Sequence, residues 1–248
     1  MSGPETLAYG PEPDHVGDLR VPDGDAPHPV VVLLHGGFWR EQWRRDLMDG
    51  LATMLTRAGF ATWNLEYRRI GRGGGWPATL LDVADGVDHL SSIPGLDLKR
   101  VVVLGHSAGG HLALWAAGRQ GLAAGLPGAD PAVTPESVLA LAPVADLEQA
   151  DALALDDHAV SEFLRGPSEE KFRAASPIRL LPLSVRQVIV HGDDDRLVPV
   201  EMSRRYVKAA RAAGDEVTYE ELKGGDHMSL IDPGSEAVAR WLELLGER

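Results

Sequence analysis

The chain has 248 residues, a length that suits one large domain, and its 44% hydrophobic and 25% charged content excludes a disordered chain. Lys and Arg number 24 against 37 Asp and Glu, a formal net charge of −13 that repels nucleic-acid phosphates and anionic lipid. Cysteine is absent, which excludes disulfides, thiolate nucleophiles and cysteine metal sites, so the reacting atoms have to be oxygen or nitrogen.

The first 29 residues carry neither a basic start nor an apolar core of secretory type, and no run approaches the ~18 apolar residues of a membrane span. The expectation is a cytoplasmic protein without a membrane partner. Apolar, β-branched runs at 30–34, 60–65, 101–104, 138–141 and 188–190 predict strands, and 215–222 alternates as a more exposed one. Helical spacing over 42–58, 77–91, 108–119, 199–213 and 235–245 fills the gaps. Strand and helix alternate, which predicts an α/β domain over 1–248 with a mostly parallel central sheet and helices on both faces. Residues 146–183, acidic and bearing Pro167, Pro177 and Pro182, break the rhythm and predict a short helical insertion that shapes a pocket.

The chemistry starts at "VVVLGHSAGGH", where Gly105, Ser107 and Gly109 form G-x-S-x-G between a buried strand and a helix. A strand-to-helix turn this sharp needs small residues two before and two after the serine, and it lifts the hydroxyl to the sheet edge above the helix amides. A serine hydroxyl needs a base, and the base needs a group that orients it. On such a fold the order is serine, acid, histidine. "VIVHGDDDRLVP" supplies Asp193, Asp194 and Asp195 after a strand, and of the nine histidines only His227, in "KGGDHM", follows them. Acyl transfer also needs donors for an oxyanion. In "VVLLHGGFWR" the strand ends in residues that leave backbone amides exposed, so Gly36, Gly37 and Phe38 are the donors to consider together with Ala108.

"HGGFW", "GHSAGGH", "HGDDDRLVP" and "GGDHM" together resemble the α/β-hydrolase superfamily over roughly residues 30 to 245. Within it, these motifs and "SPIRLLP" look like the kynurenine formamidase and small esterase group, related to the prolyl-oligopeptidase-like hydrolases. The resemblance implies the α/β-hydrolase fold, Ser107 as nucleophile, Asp195 as acid and His227 as base, with Gly37, Phe38 and Ala108 as oxyanion amides. It departs from relatives with a third glycine after HGG, where Phe38 stands, and from formamidases with tyrosine there and a GHSAGAH elbow.

The remaining features have plainer readings. "GRGGGW" lacks the ending of a phosphate loop and reads as a mobile loop beside the pocket. Trp39, Trp43 and Trp76 are candidates for an aryl-binding wall, with buried packing equally open, and His106 is a further pocket candidate although it and His111 read as structural. Asp82, Asp85 and Asp88 suit a solvated helix face. No metal or cofactor is expected. The leading expectation is a carboxylesterase for a small ester; an arylformamidase cleaving N-formylkynurenine and a non-catalytic ligand-binding hydrolase fold are the alternatives.

Overall fold

The computed structural model describes residues 3–246. The strands are β1 (Glu5–Ala8), β2 (Val16–Arg20), β3 (His28–Leu34), β4 (Ala61–Leu65), β5 (Leu96–His106), β6 (Ser137–Leu141), β7 (Arg186–Gly192) and β8 (Val217–Leu222). They form one eight-stranded sheet in the order β1-β2-β4-β3-β5-β6-β7-β8, parallel from β4 to β8 and antiparallel at β1 and β2. The helices are α1 (Asp49–Arg57), α2 (Ala78–Asp88), α3 (Ala108–Gly118), α4 (Leu147–Ala152), α5 (Leu155–Phe163), α6 (Glu169–Ala175), α7 (Val200–Ala213) and α8 (Glu236–Gly246). None is long and apolar enough to cross a membrane.

Alternation along the inner strands divides the core in two. Val30, Val32, Leu34, Val101, Val103, Val138, Ala140 and Ile189 face α2, α3, the helices α4 to α6, and α7. Val31, Leu33, Val102, Leu104, Leu139, Leu141, Val188 and Val190 face α1 and α8, where Trp241 is fully buried. Both faces are covered, so β4 and β6 are buried at every position, and the polar residues of β4, Thr62 and Asn64, meet Thr56 and the Arg45 carbonyl instead of solvent. Helix α3 is buried at every residue, as its almost wholly apolar sequence requires.

The chain passes outward from β3 to β4 and then crosses back to β5 on the other side of β3. The loops that leave β3 and β5 therefore diverge, and a crevice opens at the carboxyl ends of these two neighbouring strands. Both HGG and GHSAGG lie at that crevice.

Three sequence expectations are corrected. Strands β1 and β2 were not expected: β1 is exposed, and β2 holds charged residues, Asp18 bonding Thr6 and Arg45. The helix expected over 42–58 begins only at Asp49 after a short 3-10 turn, Arg45–Met48, because residues 40–45 are engaged by Asp156, Glu66 and Asp18. Asp82 is fully buried rather than solvated; it accepts from His15 (2.9 Å) and from Arg68 Nη2 (2.6 Å), and Asp88 pairs with the buried Arg119 at 2.7 Å.

Gly17 of β2 lies against the buried Trp63 of β4, whose Nε1 donates to Gly86 O at 2.9 Å. A β-carbon at Gly17 would overlap the indole. Gly17→Ala is expected to lower the unfolding free energy by about 1–3 kcal/mol, read from the midpoint of a urea transition, and an unchanged midpoint would show that β2 yields without loss.

Candidate active site

Ser107 sits between β5 and α3 with φ 59° and ψ −119°, a conformation that L-residues avoid. Its amide donates to Leu141 O (2.8 Å), and its carbonyl accepts from His111 N (3.0 Å) and Val144 N (3.2 Å). The turn fits only because its glycines have no side chains. A β-carbon on Gly105 would enter Gly109, and one on Gly109 would enter the carbonyls of Leu34 and His35 at the end of β3. The helix α3 begins at Ala108, so its first amides and the positive end of its dipole face the crevice.

The loops after β7 and β8 pass in backbone contact at Gly192 and Gly225, and this brings His227 to Asp195. His227 Nδ1 lies 2.6 Å from Asp195 Oδ2, while Asp195 Oδ1 accepts the amides of Leu197 (2.8 Å) and Val198 (2.9 Å). The other two aspartates face elsewhere. Asp193 accepts from Gly224 N and ties the two loops together, and Asp194 is exposed beside Arg196 at 3.4 Å.

A histidine excluded by chain order joins this group. His191 Nε2 is 3.1 Å from Asp195 Oδ2 and 3.0 Å from Val198 O, and its Nδ1 is 2.7 Å from Ser203 Oγ. Its spacing of four residues before Asp195 was the available signal. Burial pushes the Asp195 carboxyl up, but hydrogen bonds from His191 and His227, reinforced by the His227 charge and the Val198 amide, outweigh it and hold the group far below the usual carboxylate range.

On the β3 side, Gly37, Phe38 and Trp39 all have positive φ (105°, 49° and 58°), and Arg40 N closes the turn on Gly37 O at 3.0 Å. Among the described residues, the amides of Gly37 and Phe38 donate to no protein acceptor. The left-handed turn drives Trp39 away from the crevice into the core, stacked on Phe163 (4.5 Å between centroids) and edge-on to His111 (5.2 Å). Arg40 then reaches across to α5, donating to Asp156 O (2.7 Å), Glu162 Oε2 (2.7 Å) and the Asp156 carboxylate. Its partner segment is itself strained: Ala154, Asp156, Asp157 and His158 have φ of 51°, 47°, 53° and 62°. Left-handed residues of this kind cost roughly 1–2 kcal/mol each.

Ser107 and His227 share a cavity of about 240 Å³ with Gly37, Phe38, Trp43 and Asp156. Three exposed apolar side chains, Trp43, Leu197 and Met228, ring it. His106 also lines it, with Nε2 donating to His227 O at 2.9 Å; burial and the nearby His227 hold its imidazole down at about 3, in the neutral form. Two wall candidates are misplaced. Trp39 is fully buried for the reason given above, and Trp76 is half-buried against the core, its amide donating to Phe163 O at 2.6 Å. The GRGGGW loop is likewise docked on α5, with Arg165 donating to Gly74 O at 2.9 Å. Two of the larger clefts, about 600 Å³ and 470 Å³, lie at the amino ends of β6 to β8 beside Glu136, Arg186 and Glu216, away from these groups. Among the described residues no group of three or more His, Asp or Glu has the arrangement to hold a metal ion.

A mostly parallel sheet with a serine elbow after β5, an acid after β7 and a histidine after β8 defines an α/β-hydrolase fold. The fold is shared with esterase B from Lactobacillus rhamnosis, with a TM-score of 0.84 at 22% identity over 98% of this chain and 84% of that one. The chain belongs to the BD-FAE family, whose model matches residues 18–209. Among curated proteins it is 28% identical to the esterase LipC of Mycobacterium tuberculosis over 95% of this chain, and spans 64% of that protein's length. It is 29% identical to a monoacylglycerol lipase of Mycolicibacterium smegmatis, covering 89% of this chain and 88% of that one.

Because the Asp195 carboxyl is held down in the folded state, the stability it contributes is fully present above the ordinary carboxylate pKa and is lost as pH falls below it. The difference in unfolding free energy between the wild type and Asp195→Asn is expected to be flat from about pH 8 to pH 5 and to narrow below about pH 4. Denaturant titrations across this range check it, with Asp194→Asn expected to show no such gap.

Proposed function

We propose that the protein is a serine hydrolase that cleaves a small carboxylic ester through an acyl-enzyme. The observation that carries this reading is the convergence, on one small cavity, of Ser107, a histidine already paired with a buried carboxylate, and the unpaired amides of Gly37 and Phe38. With Nδ1–H of His227 donating to Asp195, the Nε2 lone pair is the base that removes the Ser107 proton as the hydroxyl attacks the carbonyl carbon. The C=O bond opens to an oxyanion received by the amides of Gly37, Phe38 and Ala108. His227 then returns the proton to the departing alcohol, and water releases the acyl group by the same steps in reverse.

The curated relatives named as an esterase and a lipase support an ester as substrate. The cavity is smaller than the ~300 Å³ lower range of ligand sites, which favours a short acyl group, and its apolar ring suits a hydrocarbon or aryl substituent. Of the aromatic residues that favour an aryl formamide, Phe38 and Trp43 border the cavity, while Trp39 and Trp76 lie outside it. Residues 146–183 act in this reading as a minimal cap on a single domain. The excess of acidic residues suits a small neutral substrate handled in the cytoplasm, without nucleic acid or membrane.

Ser107→Ala is expected to leave the fold intact, to abolish hydrolysis of short p-nitrophenyl esters and to remove labelling by a fluorophosphonate. Turnover that survives in the purified variant would exclude Ser107 as nucleophile. In the same assay, kcat/KM for p-nitrophenyl butyrate is expected to exceed that for formylkynurenine by at least about 10-fold, a difference of ~1.4 kcal/mol in transition-state binding; the reverse order would make the enzyme a formamidase. Wild-type protein that neither labels nor turns over either substrate would be a binding protein on a hydrolase fold.

A further inference from the structure

His35, the first residue of HGG, is fully buried and faces two oxygens. Its Nδ1 lies 2.8 Å from Gly36 O and its Nε2 3.0 Å from Glu66 Oε1. A peptide carbonyl and a carboxylate only accept. The one hydroxyl nearby, on Tyr67, is 3.4 Å from Nδ1 and donates instead to His35 O at 2.7 Å. Either neutral tautomer therefore turns a ring lone pair onto an oxygen, and only the doubly protonated ring donates to both. Glu66 has every reason to be a carboxylate. It accepts from Arg69 Nη1 (2.6 Å) and from the amides of Tyr67 (3.1 Å) and Arg45 (3.2 Å), with Arg44 Nε at 3.6 Å. Burial works against its charge, but the hydrogen bond from His35 and the surrounding cations prevail and hold the carboxyl at about 2.

The carbonyl of Gly36 and the amide of Gly37 belong to one planar trans peptide and point in opposite directions. Between two glycines that peptide has little steric restraint of its own, and Gly37 already has φ 105°. We infer that His35 is a positioning residue for the proposed reaction, an imidazolium that grips the Gly36 carbonyl and so aims the Gly37 N–H at the developing oxyanion, with Glu66 as its buried counter-ion. The inference rests on the hydrolase reading for its catalytic consequence, while the protonation state stands apart from it.

The charged surroundings reach His35 from three sides. Arg44 and Arg45 come from the segment ahead of α1, and Arg69 from the segment after β4; Asp18 and Asp14 balance Arg45 and Arg69 at 2.8 Å and 3.1 Å. Tyr67 stacks on the ring at 4.3 Å, and the neutral His106 lies across Gly36.

The first test is spectroscopic. In protein carrying 15N-labelled histidine, the resonances absent from His35→Asn are expected to show protonated-type shifts at both ring nitrogens from pH 6 to 8. A neutral ring in that range overturns the inference whether or not the protein is a hydrolase. The second is kinetic, using a p-nitrophenyl ester. Asn presents an amide where Nδ1 stood and Gln where Nε2 stood, so His35→Asn is expected to stay within about 10-fold of wild-type kcat and His35→Gln to lose about 10- to 100-fold with KM nearly unchanged. Equal losses, or losses in KM alone, overturn the positioning role. Glu66→Gln is expected to add an ionisation to the kcat profile, with activity falling as pH rises through it; if that variant does not fold, the histidine variants and the spectrum still decide. Turnover retained in Ser107→Ala would remove Ser107 as nucleophile and the proposed mechanism with it, and leave the result on His35 protonation standing.

Discussion

The architecture of the site depends on one close approach, that of the elbow backbone to the end of β3. Gly109 packs against the carbonyls of Leu34 and His35, and Gly36 returns the contact against His106 and Ser107. At this distance no side chain fits between the two segments. The approach sets the separation of the hydroxyl on one strand end from the amides on the other, because both are fixed to adjacent strands in register, Leu34 opposite Gly105. Everything else in the crevice is arranged around a spacing decided by backbone alone.

That spacing is rigid, and the polar groups around it are held in layers. Asp195 is gripped by two amides and two imidazoles, so the histidine that faces the serine is oriented by a carboxylate with no freedom of its own. On the opposite side Glu66 is gripped by Arg69, two amides and His35. Each buried carboxylate anchors a histidine, one sharing the cavity with Ser107 and one behind the amides of Gly37 and Phe38. Satisfied networks of this kind are stiff because removing any partner strands a charge in a medium of low dielectric.

The sequence carried more of the site than of its supports. The elbow was legible because the glycine spacing, the buried strand and the apolar helix each follow from the same steric demand. The acid and the histidine could be narrowed by order alone, since chain order on a parallel sheet reflects where strands end. Choosing among three adjacent aspartates was beyond periodicity: Asp193, Asp194 and Asp195 differ in which amide or ring they meet, and those partners come from other loops. The aromatic residues misled for a related reason. Trp39 comes one residue after the glycines, yet the left-handed backbone at Phe38 and Trp39 reverses its direction and buries it, and no local pattern reveals that turn. Strands β1 and β2 were obscured by charges that are satisfied only across the fold, Asp18 by Arg45. His35 shares that quality, since its carboxylate partner lies 31 residues away.

Arg40 joins the turn that presents the amides to the helices between β6 and β7, and its partner segment adopts left-handed backbone that it would not hold alone. Those helices are thus not an independent attachment to the sheet. A replacement segment of different length or sequence would have to bring its own carbonyl and carboxylate to Arg40, or the turn after β3 would lose a tether. Diversification of these helices and preservation of the turn at Gly37 and Phe38 are coupled through the Arg40 guanidinium and the Trp39–Phe163 stack, which narrows the range of helical segments this scaffold accepts without compensating changes at positions 39 and 40.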